Sequence, residues 1–312
     1  MNLLFAGTFN YSREILCQIK RLGYKIHFVN DERFPLKTQN IDFDVCDIDA
    51  VVCNSLFLYN EIQIFKNLKF IQVTSAGYDR VPIDYINNQN ICLFNAKDVY
   101  SVPISEWCIL KILEIYKSSI FFFNNQRMKK WEKKKDLLEL TSKIITIVGC
   151  GSVGKEIAKR IKVFGTTVLG VDKSNENIEF FDKMYPVSNI NEALVQSDIV
   201  ILSLPLNIKT TNLFNREKFK VMKKNSVLIN LSRGGVIDEK DLIEALRKGR
   251  FLGVALDVFK EEPLSEYNEL WNFPNLLISP HNSFVSDKVS DRLTNVILAN
   301  LTSFAQSTSL DK

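Results

Sequence analysis

Short apolar runs alternate with helix-like stretches in two separate series, and this alternation limits the possible folds more than any other property of the chain. Between residue 1 and about residue 97 the apolar runs are NLLFAG, YKIHFV, AVVCNS, KFIQVTS and ICLFNA, with a helix-like stretch at 11–22. The second series contains IITIVG, TVLGVD, DIVILSLP, SVLINLS, FLGVALDV and LLISP. Such alternation predicts parallel sheets covered by helices, with strands buried on both faces.

The two series are separated by a different pattern. A long apolar helix is predicted at 104–123, and a charged stretch follows it to about Ser142. Helical spacing recurs within the second series at 153–164 and 239–248, where Gly249 is placed to end the helix. Because 312 residues exceed what one hydrophobic core usually supports, two domains are expected, with one large domain as the alternative.

Composition and charge exclude several classes of partner. The 40 basic and 36 acidic residues leave a net charge of only +4, which predicts no nucleic-acid partner. We interpret the basic run at 127–136 as solvated surface rather than a phosphate or membrane patch. The six cysteines include no CxxC pair, and the N-terminus lacks the basic region of a signal peptide, which favours the cytoplasm. Charges interrupt the helix at 104–123, so no membrane span is expected. A metal site is not expected either.

A glycine-rich turn opens the second series. Directly after IITIV comes GCGSVG, in which Gly149, Gly151 and Gly154 complete a G-x-G-x-x-G pattern before a predicted helix. The first glycine permits a tight turn, the second lets the backbone approach a pyrophosphate, and the third lets helix and strand pack closely. The N–H groups of Ser152 and Val153 are expected to bind the pyrophosphate at the helix N-terminus. The alternative is a glycine turn that serves packing alone.

An acidic residue strengthens the dinucleotide interpretation. The next strand ends in Asp172, eighteen positions after Gly154. A carboxylate there can accept hydrogen bonds from the ribose hydroxyls of the adenosine, and it repels a 2′-phosphate. The sequence therefore favours NAD over NADP, although Lys173 follows immediately. The alternative is an ordinary acidic residue at a strand end.

Three later stretches begin on apolar strands and end in polar groups: INLSRGGVID at 229–238, GVALDVFKEEPL at 253–264 and ISPHNS at 278–283. In an open α/β sheet, ligands bind beyond the carboxyl ends of the strands. Arg233, Asp257, Glu262 and His281 are therefore expected to converge on one crevice. His27, the other histidine, lies in an apolar strand and is expected to pack in or near the first domain, which leaves His281 as the acid–base candidate.

In the order and spacing of these motifs, the chain resembles the D-isomer-specific 2-hydroxyacid dehydrogenase family. The resemblance begins at SAGYDRV, similar to the substrate-carboxylate loop of the family, and continues through VPISEWCILKILEI, an R…W segment, the glycine turn and the three stretches. It implies that Arg233 binds the substrate carboxylate and polarises the 2-keto oxygen. It also implies that His281 exchanges a proton with that oxygen, while Glu262 orients the imidazole.

The resemblance further assigns the remaining binding positions. Asp257 contacts the nicotinamide carboxamide, and Ser232 lies with Leu231 along the same ring. Pro205 belongs to the adenosine side of the pocket, where Asn207 and Ile208 replace the usual threonine and proline. The backbone N–H groups of Ala76 and Gly77 receive the substrate carboxylate.

The fold class implied is α/β, with two doubly wound parallel-sheet domains: a Rossmann cofactor domain inserted into a flavodoxin-like substrate domain. We expect the substrate domain at 1–97 plus 280–312 and the NAD-binding domain at 98–279, with a cleft that closes about a hinge. After a last helix at 290–304 no additional regulatory domain is expected. The apolar helix 104–123 predicts a homodimer.

Two other functions stay open at this stage. One is an NAD-sensing protein-binding module of the same fold with little turnover. The other is a nucleotide-sugar or amino-acid dehydrogenase that shares only the cofactor half, against which the order Arg233, Glu262, His281 argues. Glutamate at 262 also separates the chain from the formate dehydrogenase branch, which has glutamine there.

Overall fold

The chain divides into two compact units, seen in a computed structural model that describes residues 1–7, 11–173 and 176–310. One unit is discontinuous and comprises Met1–Tyr100 and Ser286–Lys312, and the other is the continuous segment Ser101–Val285. The sequence-based domain bounds differ from those of the compact units by a few residues at each junction. The division of the chain into a substrate domain and a cofactor domain stays a prediction.

The discontinuous unit contains a five-stranded parallel sheet in the order β2-β1-β3-β4-β5. Its strands are β1 Asn2–Ala6, β2 Lys25–Val29, β3 Ala50–Cys53, β4 Phe70–Val73 and β5 Cys92–Phe94. Its helices are α1 Arg13–Arg21, α2 Leu56–Tyr59, α3 Ile83–Asn88 and α10 Val289–Leu310. This is the flavodoxin-like order, with its topological switch between β1 and β3.

Both faces of this sheet are apolar because helices cover both. Along β1, Leu3 and Phe5 belong to one buried cluster and Leu4 to the cluster on the other face, as the two-residue period of a strand requires. Two hydrogen bonds anchor helix α10 to the sheet region. The Tyr24 hydroxyl donates to the Leu301 carbonyl at 3.0 Å, and the Gln72 side chain accepts from a side chain of the helix.

The continuous unit contains a seven-stranded parallel sheet in the order β12-β11-β10-β9-β6-β7-β8. Its strands are β6 Ile144–Val148, β7 Thr167–Asp172, β8 Lys183–Pro186, β9 Ile199–Leu202, β10 Ser226–Asn230, β11 Phe251–Leu256 and β12 Leu276–Ile278. Its helices are α4 Ser101–Tyr116, α5 Ser119–Arg127, α6 Ser152–Ile161, α7 Ile190–Leu194, α8 Arg216–Val221 and α9 Glu239–Arg247. This is the Rossmann order, with the switch point between β6 and β9, and the predicted fold class is confirmed.

Two local predictions were wrong or incomplete. The single helix expected at 104–123 is two helices, α4 and α5, because Ser118 adopts a left-handed conformation at φ 50° and interrupts the α-helical path. Strand β8 was not predicted, since its sequence KMYP begins with an exposed lysine and ends with proline. Within the described residues, no helix combines the length and the apolar character that a bilayer span requires.

Candidate active site

The glycine-rich turn between β6 and α6 contains two glycines that packing requires. Gly149 has φ 95°, and a Cβ there would lie 2.7 Å from the Ser203 carbonyl. A Cβ on Gly154 would overlap the carbonyl oxygen of Gly149. Because both obstacles are backbone atoms, no side-chain rearrangement can relieve them. These two glycines hold α6 against β6 and β9.

Gly151 has no such obstacle. Its φ of −72° suits any residue, and a Cβ there would meet no atom within 4 Å. No side chain caps α6, and among the described residues none accepts from the N–H groups of Ser152 or Val153. The turn is therefore an open cradle with unpaired donors at a helix N-terminus, and it fits the pyrophosphate of a dinucleotide.

Asp172, at the end of β7, is tied to the same turn. Its Oδ2 accepts from the N–H of Cys150 at 2.7 Å, and its Oδ1 accepts from the N–H of Lys173 at 2.6 Å. Each carboxylate oxygen retains a further lone pair, so the group can still accept from a ribose hydroxyl. Burial, together with the smaller effect of the Asp172 carboxylate, raises the pKa of the Cys150 thiol to about 12. This cysteine therefore fills space as a neutral group.

The predicted adenosine-side residues lie in the loop after β9. Pro205 is exposed, and its carbonyl accepts from the Thr210 hydroxyl at 2.7 Å. That hydroxyl oxygen also accepts from the N–H of Asn207 at 2.8 Å, which closes the turn. The exposed apolar side chain at Ile208 stands nearby in the same loop.

The loop after β10 presents Arg233, and a buried amide shapes it. Asn230 is 1% exposed, and its Oδ1 accepts from both the N–H and the hydroxyl of Ser232, at 3.1 and 2.7 Å. Its Nδ2 donates to the Arg233 carbonyl at 3.0 Å. Leu231 and Ser232, predicted along the nicotinamide, are both buried, whereas Arg233 is half-buried. Sequence reasoning missed Asn230, although an asparagine directly after the apolar run VLI of a buried strand was a usable signal.

Gly234 joins this loop to the next one. A Cβ at Gly234 would overlap the backbone carbonyl of Phe259, so the two loops touch through their backbones. The N–H of Phe259 in turn donates to Oε1 of Glu262 at 2.9 Å. The Arg233 loop and the Glu262 loop are thus held together without any side chain between them.

The structure brings Glu262 and His281 together. Oε2 of Glu262 lies 2.8 Å from Nδ1 of His281. A carboxylate only accepts, so Nδ1 carries the hydrogen, and the other ring nitrogen, Nε2, is the one that can exchange a proton. The two side chains are about one-third exposed, at 33% for His281 and 35% for Glu262, so a substrate can reach them.

Asp257 holds the loop that carries His281. The residue is 1% exposed, and its Oδ1 accepts from the Ser279 hydroxyl at 2.6 Å and from the N–H of Asn282 at 2.9 Å. Its Oδ2 accepts from the N–H of Ser283 at 3.0 Å. The Asp257 carbonyl also accepts from the N–H of His281, whose φ is 53°. These contacts hold the histidine backbone in its left-handed conformation; contact with the nicotinamide stays a prediction.

In the discontinuous unit, Ala76 and Gly77 follow β4. The carbonyl of Ala76 accepts from Asn95 Nδ2 at 2.7 Å, and that of Gly77 accepts from the Ser75 hydroxyl at 2.8 Å. Within the described part of the chain, no group accepts from the N–H of either residue. The loop therefore offers two donors to an anion. His27, by contrast, lies half-buried on β2 beside Phe43, and burial lowers its pKa.

Comparison with known proteins identifies similar chains. The family model described as D-isomer specific 2-hydroxyacid dehydrogenase, NAD binding domain, matches residues 109–283. The glyoxylate reductase of Pyrococcus furiosus is 30% identical over 83% of this chain and 80% of that relative. The D-3-phosphoglycerate dehydrogenase of Methanocaldococcus jannaschii is 29% identical over 76% of this chain but only 45% of its own length. A solved glyoxylate reductase from Paecilomyes thermophila has a TM-score of 0.85 and 25% identity, covering 98% of this chain and 95% of that one.

Proposed function

The chain belongs to the D-isomer specific 2-hydroxyacid dehydrogenase family and is an NAD-dependent oxidoreductase, and we propose that it interconverts a small D-2-hydroxy acid and the matching 2-keto acid. The observation that carries the proposal is the pairing of Glu262 with Nδ1 of His281, which leaves Nε2 as the one imidazole nitrogen for proton exchange. Binding of NAD is supported by the open cradle at Gly151 and the uncapped helix behind it.

The proposed mechanism assigns one task to each group. The glycine-rich turn would hold NADH, and the bound cofactor would supply a hydride to C2 of the keto acid. Arg233 binds the substrate carboxylate and polarises the C2 carbonyl, since a guanidinium is permanently charged and presents a planar fork. The N–H groups of Ala76 and Gly77, in the discontinuous unit, are proposed as donors to a substrate carboxylate.

Proton transfer completes the reduction. The imidazolium of His281 donates its Nε2 proton to the oxygen on C2 as the hydride arrives, and the product is the 2-hydroxy acid. In the oxidative direction the neutral imidazole takes that proton back. Glu262 keeps the ring oriented and, as a carboxylate 2.8 Å away, stabilises the positive charge on the imidazolium.

The test is a panel of 2-keto acids, with consumption of NADH followed by absorbance and NADPH run in parallel. We expect His281→Ala and Arg233→Ala each to lower kcat/KM by about two to four orders of magnitude, while NADH binding measured by calorimetry stays close to wild type. Near-normal turnover by the His281 variant would contradict the acid–base role. NADH binding without turnover of any keto acid would instead support the protein-binding module.

We also propose a homodimer formed through the surface of α5 and the segment that follows it. Phe123 is 58% exposed and Trp131 is 98% exposed, beside a cavity of about 680 Å³. In that cavity wall, the buried Nδ2 of Asn125 has no hydrogen-bond partner among the described residues. A second copy would cover the rings and offer that donor an acceptor. Light scattering should show a dimer that Phe123→Glu dissociates, and a monomeric wild type would exclude this assembly.

A cytoplasmic location is part of the proposal. All six cysteines are free thiols in the structure, three buried and three exposed. Exposed thiols persist in a reducing compartment and are usually oxidised outside it. Subcellular fractionation with an antibody to the protein tests the assignment.

A further inference from the structure

We propose that Arg80 binds a second anionic group of the substrate, a carboxylate or a phosphate at the end remote from the 2-hydroxy acid. This inference rests on the proposed function and narrows its substrate class. The proposed reaction requires one carboxylate on the substrate, and that group is assigned to Arg233. Arg80 is an additional cation, at the edge of the five-stranded sheet where Ala76 and Gly77 present their N–H groups.

The placement of Arg80 follows from the sheet. Strands β3 and β4 are parallel neighbours, so the residues after them meet at one edge. The N–H of Thr74 donates to the Cys53 carbonyl at 2.8 Å and continues this pairing beyond β4. Asn54 directly follows β3, and Nη1 of Arg80 donates to its Oδ1 at 2.9 Å. The guanidinium therefore lies at the edge where Ala76 and Gly77 present their N–H groups.

A buried carboxylate holds the partner of Arg80 in place. Glu32 is 7% exposed; its Oε2 accepts from the N–H of Asn54 at 2.9 Å and its Oε1 from the Ser55 hydroxyl at 3.0 Å. Both oxygens of Glu32 are thus directed at the residues that follow β3. The Asn54 side chain is presented on a fixed backbone, and it orients the guanidinium through a neutral contact.

The charge of Arg80 is left for a ligand. Arg80 is half-buried, and among the described residues no carboxylate forms an ion pair with it. A guanidinium has five N–H donors, of which Asn54 accepts from one. The remaining donors match a carboxylate or a phosphate, which a planar guanidinium can bind through two parallel hydrogen bonds. The alternative is a hydrated arginine with no role in selectivity.

The experiment compares keto acids with and without a second anion. Pyruvate carries none, oxaloacetate carries a second carboxylate, and 3-phosphohydroxypyruvate carries a phosphate. For the wild type we expect a lower KM for at least one of these two keto acids with a second anionic group than for pyruvate. Arg80→Gln should raise that KM about 10- to 100-fold, as expected for loss of a charge-assisted contact, with kcat within about twofold and the KM for pyruvate almost unchanged.

Two further variants sharpen the result. Arg80→Lys, which keeps the positive charge without the planar fork of the guanidinium, should recover part of the affinity for the substrate with a second anionic group. Arg33→Gln removes an exposed arginine of the same unit that pairs with Asp31, and it should change no KM. It therefore controls for the loss of one positive charge.

The failure of this inference differs from the failure of the proposed function. If the wild type reduces pyruvate but discriminates against both keto acids with a second anionic group, or if Arg80→Gln raises every KM equally, the role of Arg80 is refuted and the enzyme assignment stands. If the wild type reduces no keto acid with NADH, both are refuted. The relative KM values for oxaloacetate and 3-phosphohydroxypyruvate distinguish a second carboxylate from a phosphate.

Discussion

Replacing Gly151 with alanine separates the glycine that a ligand requires from those that the fold requires. A Cβ at position 151 meets no atom within 4 Å and the backbone there is ordinary, so the protein should tolerate it. A Cβ at position 154 overlaps the Gly149 carbonyl, which cannot move away without displacing the turn. The two substitutions are chemically identical and lie three positions apart, so each is a control for the other.

The magnitudes follow from these contacts. Gly151→Ala has two opposing effects on the free energy of unfolding, each of about 0.5–1 kcal/mol. The lower chain entropy of the unfolded state stabilises the protein, and the poorer helix cap destabilises it. The melting temperature should therefore stay within about 2 °C of wild type. The added methyl group stands where the pyrophosphate approaches the backbone, at a cost of about 1.5–3 kcal/mol, or about 10- to 100-fold in the Kd of NADH. Gly154→Ala forces an overpacked contact of about 1–3 kcal/mol and should lower the melting temperature by about 2–10 °C.

Thermal melts by circular dichroism and NADH titration by calorimetry measure the two effects separately. Wild-type NADH affinity in a stable Gly151→Ala protein would refute the assignment of this turn as the pyrophosphate cradle. A loss of melting temperature in Gly151→Ala as large as that in Gly154→Ala would refute the claim that position 151 is free of packing constraints.

Two further predictions concern loops and pH. Asp257→Asn turns a donor toward the N–H of Ser283, so we expect kcat/KM to fall about 10- to 100-fold through misplacement of His281, with about 1–3 kcal/mol lost in stability. An unchanged kcat/KM and melting temperature would count against it. Burial alone would raise the pKa of Asp182, but hydrogen bonds from Lys162 and from a backbone N–H of β7 outweigh it and hold the pKa below its usual value. The stability that this lowered pKa contributes is present above the pKa of the unfolded chain, near 4, and is lost as the pH falls through the pKa of the folded protein. Between about pH 4.5 and 3 the melting temperature of the wild type should therefore fall more steeply than that of Asp182→Asn. Parallel slopes would contradict this prediction.

Local patterns in the sequence predicted much of the fold. Six of the seven strands in the larger sheet coincide with apolar runs, because strands covered on both faces must be apolar along their whole length. The missed strand, β8, lies at the edge of its sheet and pairs only with β7, so burial places a weaker demand on its residues. The break at Ser118 was missed since serine is compatible with a helix, and nothing in the local sequence indicates its left-handed backbone.

The sequence likewise indicated some residues of the candidate site and missed others. The glycine turn is contiguous, so its spacing identified it, and the resemblance named Arg233, Glu262 and His281 before any geometry was known. Neither source indicated that Asn230 shapes the Arg233 loop, because its partners are defined only once the chain has turned.

The sequence by itself therefore determined the features that depend on periodic patterns or on contiguous motifs. These are two series of buried strands, a glycine turn after the first strand of the second series, and the residue types of the reaction. The resemblance implied that Glu262, 19 positions before His281, meets its imidazole. Tertiary structure alone decided the contacts that no motif indicates, such as that between Asn54 and Arg80, which are 26 positions apart. The physical reason is that parallel pairing brings the carboxyl ends of separate strands to one edge, so the neighbours of a loop residue are set by strand order and not by distance along the chain.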